Sequence, residues 1–351
     1  MKKQILAVAV AGAFAVPAFA AADSNVTLFG QLQTQIVHHS GSNAGTFEDG
    51  FRQHDAGGLG NAADGSGPNR LGVMVNHDLG NGLTALAKLE GDFQTGTGRG
   101  EDDTSGFNSG NRDIYVGLDG NFGRVIAGRM SSSYSTAGKD PLNATFMQAR
   151  ANGARLGGDG GFGNGSYVDR GIRYSNSFGM VSLDLGVFLD NSNDSDTAFS
   201  GRLNFDLGAV DLYVAHVNAD GYGSGPNVSG GDYANTKIGA DWKSGPFRVV
   251  GEFEDADRGG NNQDFQTVFL SGTYSMGRND FVLNIGMMDR DDNNDREYVA
   301  LAVKHNFSNR VMAYAGVGYA SQDNLGMDSA GNMNGSDISF TGVGGGMRVS
   351  F

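Results

Sequence analysis

Three observations predict an all-β protein, an antiparallel transmembrane barrel of sixteen strands. Short runs alternate apolar and polar residues along nearly the whole chain. The connectors between them alternate between tight turns and long polar loops, and an export leader precedes both. A period of two gives each strand one apolar and one polar face. Crossing a bilayer with strands requires closure, because an open edge leaves backbone groups without partners in hydrocarbon.

The leader comes first. Lys2 and Lys3 precede an apolar run from Ile5 to Val16, and Ala18-Phe19-Ala20 has the small-x-small pattern of a cleavage site. Residues 1–20 are therefore expected to be a signal peptide, and 21–351 the barrel. The leader's apolar run is short for a helical span of about 20 residues. Lys2 and Lys3 removed, the remaining 23 basic residues face 39 acidic ones, a formal charge of −16. That balance argues against nucleic acid as a partner. The chain has no cysteine, which excludes disulfides, thiol chemistry and thiolate metal sites.

The strands follow in order. Val26, Leu28, Gly30 and Leu32 share one parity, with Gln31, Gln33 and Gln35 on the other. Next, Leu71, Val73 and Val75 oppose Arg70, Gly72, Met74 and Asn76, and Leu83, Ala85, Ala87 and Leu89 oppose Thr84, Leu86, Lys88, Glu90 and Asp92. The same reading predicts strands at 24–37, 70–78, 82–93, 111–119, 123–130, 169–175, 179–189, 197–206, 209–217, 232–242, 246–255, 264–275, 279–290, 296–305, 309–320 and 337–351. Seven connectors, such as Asp78–Gly82 and Lys243–Pro246, are tight turns. Eight are longer and polar, which is the arrangement of periplasmic turns and extracellular loops.

A soluble β-sandwich also alternates, but its two inner faces must be apolar. Here one face is aliphatic with aromatics near strand ends (Trp242, Phe247, Tyr319, Phe351). The other carries Asp211, Lys237, Asp241, Arg248, Glu252 and Glu254, too polar to pack on a second sheet. Polar inside and apolar outside suits a water-filled lumen in lipid. One connector stands apart: Ser131–Val168 is far longer than the roughly 12–15 residues of an ordinary loop. It follows an early strand, and in a barrel it can fold into the lumen and narrow it.

Several segments together resemble a known family. Asn69-Arg70-Leu71-Gly72, Asp78-Leu79-Gly80-Asn81-Gly82-Leu83 and Leu89-Glu90-Gly91 are similar to the second and third strands of Gram-negative general porins, the neisserial and beta-proteobacterial type above all. Asn111–Leu118, Gly120-Asn121-Phe122-Gly123, Gly128-Arg129, Asp169–Tyr174 and the closing Gly345–Phe351 extend the likeness over the mature chain. The resemblance implies a homotrimer in the outer membrane, a third loop folded into the pore, and passive diffusion of ions and small hydrophilic solutes. It also implies basic residues at Arg70 and Arg112 on the constriction wall. Arg70 is inward by parity. Arg112 shares the parity of Ile114, Val116 and Leu118, so either the strand starts after it or a bulge turns it inward. Ile126 and Tyr167 stand where relatives can carry basic residues.

A pore needs a hole of limited size and a field across it rather than a catalytic group or cofactor. Arg70, Arg112, Lys88 and Arg170 are the candidate wall cations, and Asp140 and Asp159 the candidate loop carboxylates facing them. Asp190–Asp196 and Asp289–Glu297 lack the glycine and terminal glutamate of a calcium loop. They read as solvated extracellular loops near lipopolysaccharide, with Arg290 and Arg296 within reach of its phosphates. No metal site is expected, because the six histidines show no ligand spacing. Three other functions compete. An enzyme needs a nucleophile beside His and a carboxylate, a pattern not recognisable here. An adhesive barrel would carry a separate binding domain. A pore selective for a particular sugar, phosphate or organic acid is the closest rival; a sugar pore needs an aromatic track, for which Tyr115, Tyr213 and Tyr314 are inward candidates.

Overall fold

The computed structural model describes residues 24–351 apart from 46, 56, 60–68, 97–111, 150–163, 165–166, 191–196, 220–221, 223–233, 258–263, 329 and 331. The leader and Asp159 lie outside the described residues. The regular elements are strands: β1 (Ser24–Ser42), β2 (Gly50–His54), β3 (Arg70–Gly80), β4 (Leu83–Asp92), β5 (Ile114–Gly120), β6 (Gly123–Ser131), β7 (Tyr167–Phe178), β8 (Val181–Leu189), β9 (Thr197–Asp206), β10 (Val210–Asn218), β11 (Ala234–Ser244), β12 (Phe247–Asp257), β13 (Phe265–Met276), β14 (Asn279–Arg290), β15 (Arg296–Asn306), β16 (Val311–Gln322) and β17 (Ile338–Ser350). Neighbours pair antiparallel. Closure falls on β1, whose upper part pairs with β17 from Gln31↔Ser350 to Ser42↔Ser339 while its lower part pairs with β3 from Ser24↔His77 to Gln31↔Arg70. Sixteen strands therefore form a closed barrel. All sixteen predicted strands are present.

The additional strand, β2, was not anticipated, and its cause is physical. Pairing with β3 stops at Gln31, so residues further up that edge of β1 would present unpaired backbone groups. β2 covers this edge, pairing Gln35↔His54 to His39↔Gly50. The tight turns behave as their sequences dictate. Between β3 and β4, Asn81 and Gly82 have φ of 54° and 74°, the left-handed pair that a two-residue type I′ hairpin requires.

Outward positions are apolar and exposed, including Ile36, Val116, Ile238, Leu301 and Val343. Inward positions are polar, as predicted, yet many are buried: Gln33, Gln35, Lys237, Asp241, Glu252, Glu254 and Asn284. The connector after β6 covers them. The buried apolar residues also lie where this connector meets the inner wall. Leu142, Phe146 and Met147 cluster with Val37, Ala300, Ala302, Tyr314 and Phe340, while Met130, Tyr134 and Ala137 cluster with Phe188, Ala198, Tyr213 and Ala215.

Candidate functional site

Residues 132–149 lie inside the barrel along much of its wall. Ser133 donates to Asp184 of β8, and Arg202 of β9 donates to the Thr136 carbonyl at 3.0 Å. Tyr134 donates to Glu254 of β12, and Lys139 pairs with Asp211 of β10 and, at 3.5 Å, with Asp241 of β11. Further on, Lys304 of β15 donates to the Pro141 carbonyl at 3.2 Å, and Tyr298 donates to the Met147 carbonyl. The far end reaches β17 and β1: Arg348 donates to the Ala144 carbonyl at 3.1 Å, and the Phe146 amide donates to Gln35 at 3.0 Å. Several of these contacts give a buried polar group of the wall, among them Asp184, Asp241, Glu254 and Gln35, a partner without which its burial would be costly.

Local sequence shapes the segment. Asp140 accepts from the Leu142 amide at 2.8 Å, an Asx-type turn, and from the Ala149 amide at 2.7 Å, closing the stretch into a compact knot. Its carboxylate also accepts from Asn284 of β14 at 2.7 Å. The wall opposite has small side chains. A Cβ at Gly342 would lie 2.8 Å from Leu59 and 3.1 Å from Phe146, and one at Gly318 would lie 2.9 Å from Leu59. Part of the first long connector, around Leu59, is thus packed in the lumen too, with Gln148 donating to the Gly57 carbonyl at 3.1 Å.

A second group forms at the loop-end tips of β3, β4 and β5. Glu90, 3 % exposed, accepts from Lys88 at 2.7 Å and from Arg112. Arg70 approaches it at 3.9 Å, and Lys88 also pairs with Asp113 at 2.6 Å. The Arg112 guanidinium lies over the Tyr167 ring at 5.1 Å. Arg348 lies across β1 from Arg70, donating to Gln33 at 2.7 Å. Three of the six sequence-predicted residues, Arg70, Lys88 and Arg112, therefore meet around one glutamate.

The other three do not join this cluster as described. Asp140 is the knot of the loop, bonded towards β14. Arg170 is exposed on a bulge of β7, with φ of 57°. Asp159 lies outside the described residues. The parity conflict at Arg112 is resolved simply: β5 begins at Ile114, so Arg112 precedes the pleat and is free to turn inward. Glu90 was read as inward but not as the hub, and Arg348 was not singled out. Their signal was present, since both share the inward parity of their strands. Tyr213 and Tyr314 are inward but buried, donating to Glu252 and Gln35, and so do not form an aromatic track open to solutes.

Comparison with known proteins agrees with this architecture. Residues 7–325 match the family model for Gram-negative porins. The chain is 28% identical to outer membrane porin protein 32 of Delftia acidovorans over 384 residues, covering all of both chains. It is 34% identical to major outer membrane protein P.IB of Neisseria meningitidis serogroup B over 143 residues, 39% of this chain and 36% of that one. Among solved structures, the anion-selective porin from Comamonas acidovorans superposes with a TM-score of 0.71 at 24% identity, over 94% of this chain and all of that one, which shows a shared fold. The chain belongs to the Gram-negative porin family. It is a passive diffusion channel of the outer membrane, which it crosses as a closed sixteen-stranded antiparallel barrel.

Proposed function

We propose that residues 132–149 constrict this channel and that the group around Glu90, with Arg348, sets the charge of the remaining passage. The run of hydrogen bonds from β8 to β17 and on to β1 carries this reading. A segment held at so many points narrows the lumen and leaves its open side against β3 to β7. Arg70, whose side chain is 36 % exposed and whose nearest carboxylate is at 3.9 Å, presents the most accessible charge of the Glu90 group. Arg348 adds a second. The passage then favours anions, as does the anion-selective porin from Comamonas acidovorans. The Asp-rich extracellular loops act oppositely within about a Debye length, roughly 8 Å at physiological salt, so cation attraction shows mainly in dilute solution.

The barrel works as a homotrimer with no catalytic step. Exposed aromatics of the outer wall, including Phe178, Phe199, Trp242, Phe253, Tyr274 and Tyr319, belong to β7 through β16. The arc β17, β1, β3, β4 and β5 presents aliphatic residues such as Leu28, Leu71, Leu89, Val116 and Val343, with Phe51 and the terminal Phe351 added. Aromatic belts mark lipid interfaces, so the aliphatic arc is the one that packs on neighbouring subunits. A Cβ at Gly30 on this arc would overlap the Phe351 ring, so that small position seats the chain's own terminus. Lipopolysaccharide meets the extracellular rim, where Arg296 is a candidate phosphate contact; Arg290 is held by Asp292 at 3.1 Å.

Reconstitution into planar bilayers and proteoliposomes tests the reading. Stepwise ohmic conductance without an energy source, swelling rates that fall smoothly with solute size, and a heat-dissociated trimer in detergent are expected. Saturable uptake of one solute with no general permeability would overturn it in favour of a selective pore.

A further inference from the structure

The inner wall of β5, β6 and β7 carries a recess of about 170 Å3, lined by Asp113, Tyr115, Arg124, Ile126, Met130 and Arg173 among others. Its two ends differ in charge. At one, Asp113 gives one carboxylate oxygen to Lys88 at 2.6 Å, and the second accepts no hydrogen bond among the described residues. At the other, Arg124 binds a single oxygen of Asp119 through Nε at 2.7 Å and Nη2 at 2.6 Å, leaving Nη1 available. The Arg124 side chain is 51 % exposed, and exposed pairs of this kind contribute little, so it can turn to a solute. Arg173 is held by Asp184 through Nε at 2.7 Å and Nη2 at 2.6 Å and by the Ser131 carbonyl through Nη1 at 3.2 Å. It still has one N–H on each terminal nitrogen.

Tyr115 stands between the poles, within electrostatic reach of Lys88, Asp113, Arg124 and Arg173. Its hydroxyl makes no hydrogen bond among the described residues. Ile126 and Met130, 8 % and 1 % exposed, form an apolar floor. Arg173 stands level with Gly117 of β5 through Ile126 of β6, so its backbone lies two strand spacings sideways and four residues along the strand from Asp113, roughly 16 Å in all. Both side chains line the recess and shorten that gap from either end, towards what a small zwitterion with a hydrogen bond of about 2.8 Å at each end can bridge.

We propose that this recess is a subsite for an aliphatic α-amino acid in its zwitterionic form. The ammonium sits on Asp113 and the Tyr115 hydroxyl, the carboxylate on Arg124 and Arg173, and the side chain on Ile126 and Met130. A solute with one charge satisfies one pole only and leaves the other to water. The proposal rests on the chain being a diffusion channel and names a solute class that lingers in it.

Single-channel recording of the reconstituted protein tests this with three solutes of one shape: L-leucine, 4-methylpentanoate and 3-methylbutylamine. L-leucine should interrupt the current about tenfold longer than either analogue, the worth of one charged hydrogen bond. Asp113→Asn and Arg124→Gln should each shorten its residence to the level of the analogues. Ile126→Arg, which adds a third guanidinium to the floor, should transfer the preference to 4-methylpentanoate. Tyr115→Phe changes no charge and should still shorten the L-leucine events. Equal residence of all three solutes in a normally conducting channel overturns the proposal, as does unaltered L-leucine residence in these variants. A protein that inserts but conducts no KCl would overturn the channel reading instead.

Discussion

Two halves of the lumen wall use the same residue types in opposite ways. On β11 and β12, Lys237, Asp241, Glu252 and Glu254 are buried beneath the loop. On β3, β4 and the tip before β5, Arg70, Lys88 and Arg112 surround Glu90 with no such clamp from residues 132–149 described. Both sets alternate with aliphatic residues and both point inward. The difference lies in what covers them. An inward charge under the loop anchors it, and an inward charge facing the passage acts on solutes.

Removing the cover is the severest way to break this contrast. Excising residues 135–163 with a short linker should raise single-channel conductance several-fold and expose Lys237 and Glu254 to water, where they are solvated and the barrel persists. Equal conductance before and after excision would mean the segment does not narrow the passage. A gentler disruption is Gly342→Leu, which drives a side chain into the space of Leu59 and Phe146. Overpacking of this kind costs about 1–3 kcal/mol and should appear as current noise from a loosened loop in an intact trimer.

Smaller again is Glu254→Gln. It weakens the acceptor shared by Tyr134 and Asn164, whose amide lies 2.9 Å from both carboxylate oxygens. Loss of charged hydrogen bonds should weaken docking by about 1.5–3 kcal/mol, read as flicker with unchanged reversal potential. The smallest effect concerns the rim. Asp292 is held below its ordinary 3.8 by its hydrogen bonds from Arg290. A depressed carboxyl stabilises while ionised, so this contribution is complete above that ordinary value and is lost as pH falls through the lowered one. Hydrogen exchange of the 291–295 turn should quicken below about pH 4 in the native protein and be pH-independent in that respect in Asp292→Asn.

The barrel was readable because a period of two is imposed on every strand by lipid on one side and polar lumen on the other. What the sequence did not disclose depended on partners distant along the chain. β2 is five residues that exist to cover an edge of β1, a need visible only once β3 is known to stop at Gln31. Arg112 carries the parity of a strand it does not belong to. The direction of Asp140 is decided by turns at Leu142 and Ala149 inside a loop with no repeat to read. One clue was available in the chain: Gly316, Gly318 and Gly342, all on inward positions, leave room for Met147, Leu59 and Phe146, so apolar residues in the long connectors had a wall to dock on.

The contrast between the covered and open walls is tested most directly by reversal potentials in KCl gradients for two charge changes made side by side, Arg70→Glu and Lys237→Gln. Arg70→Glu should move the potential towards cations at low and high salt alike, because the charge acts at the narrow passage. Lys237→Gln, buried beneath the loop, should leave it where the native channel has it. A large shift from Lys237→Gln with none from Arg70→Glu would contradict the assignment of the two walls.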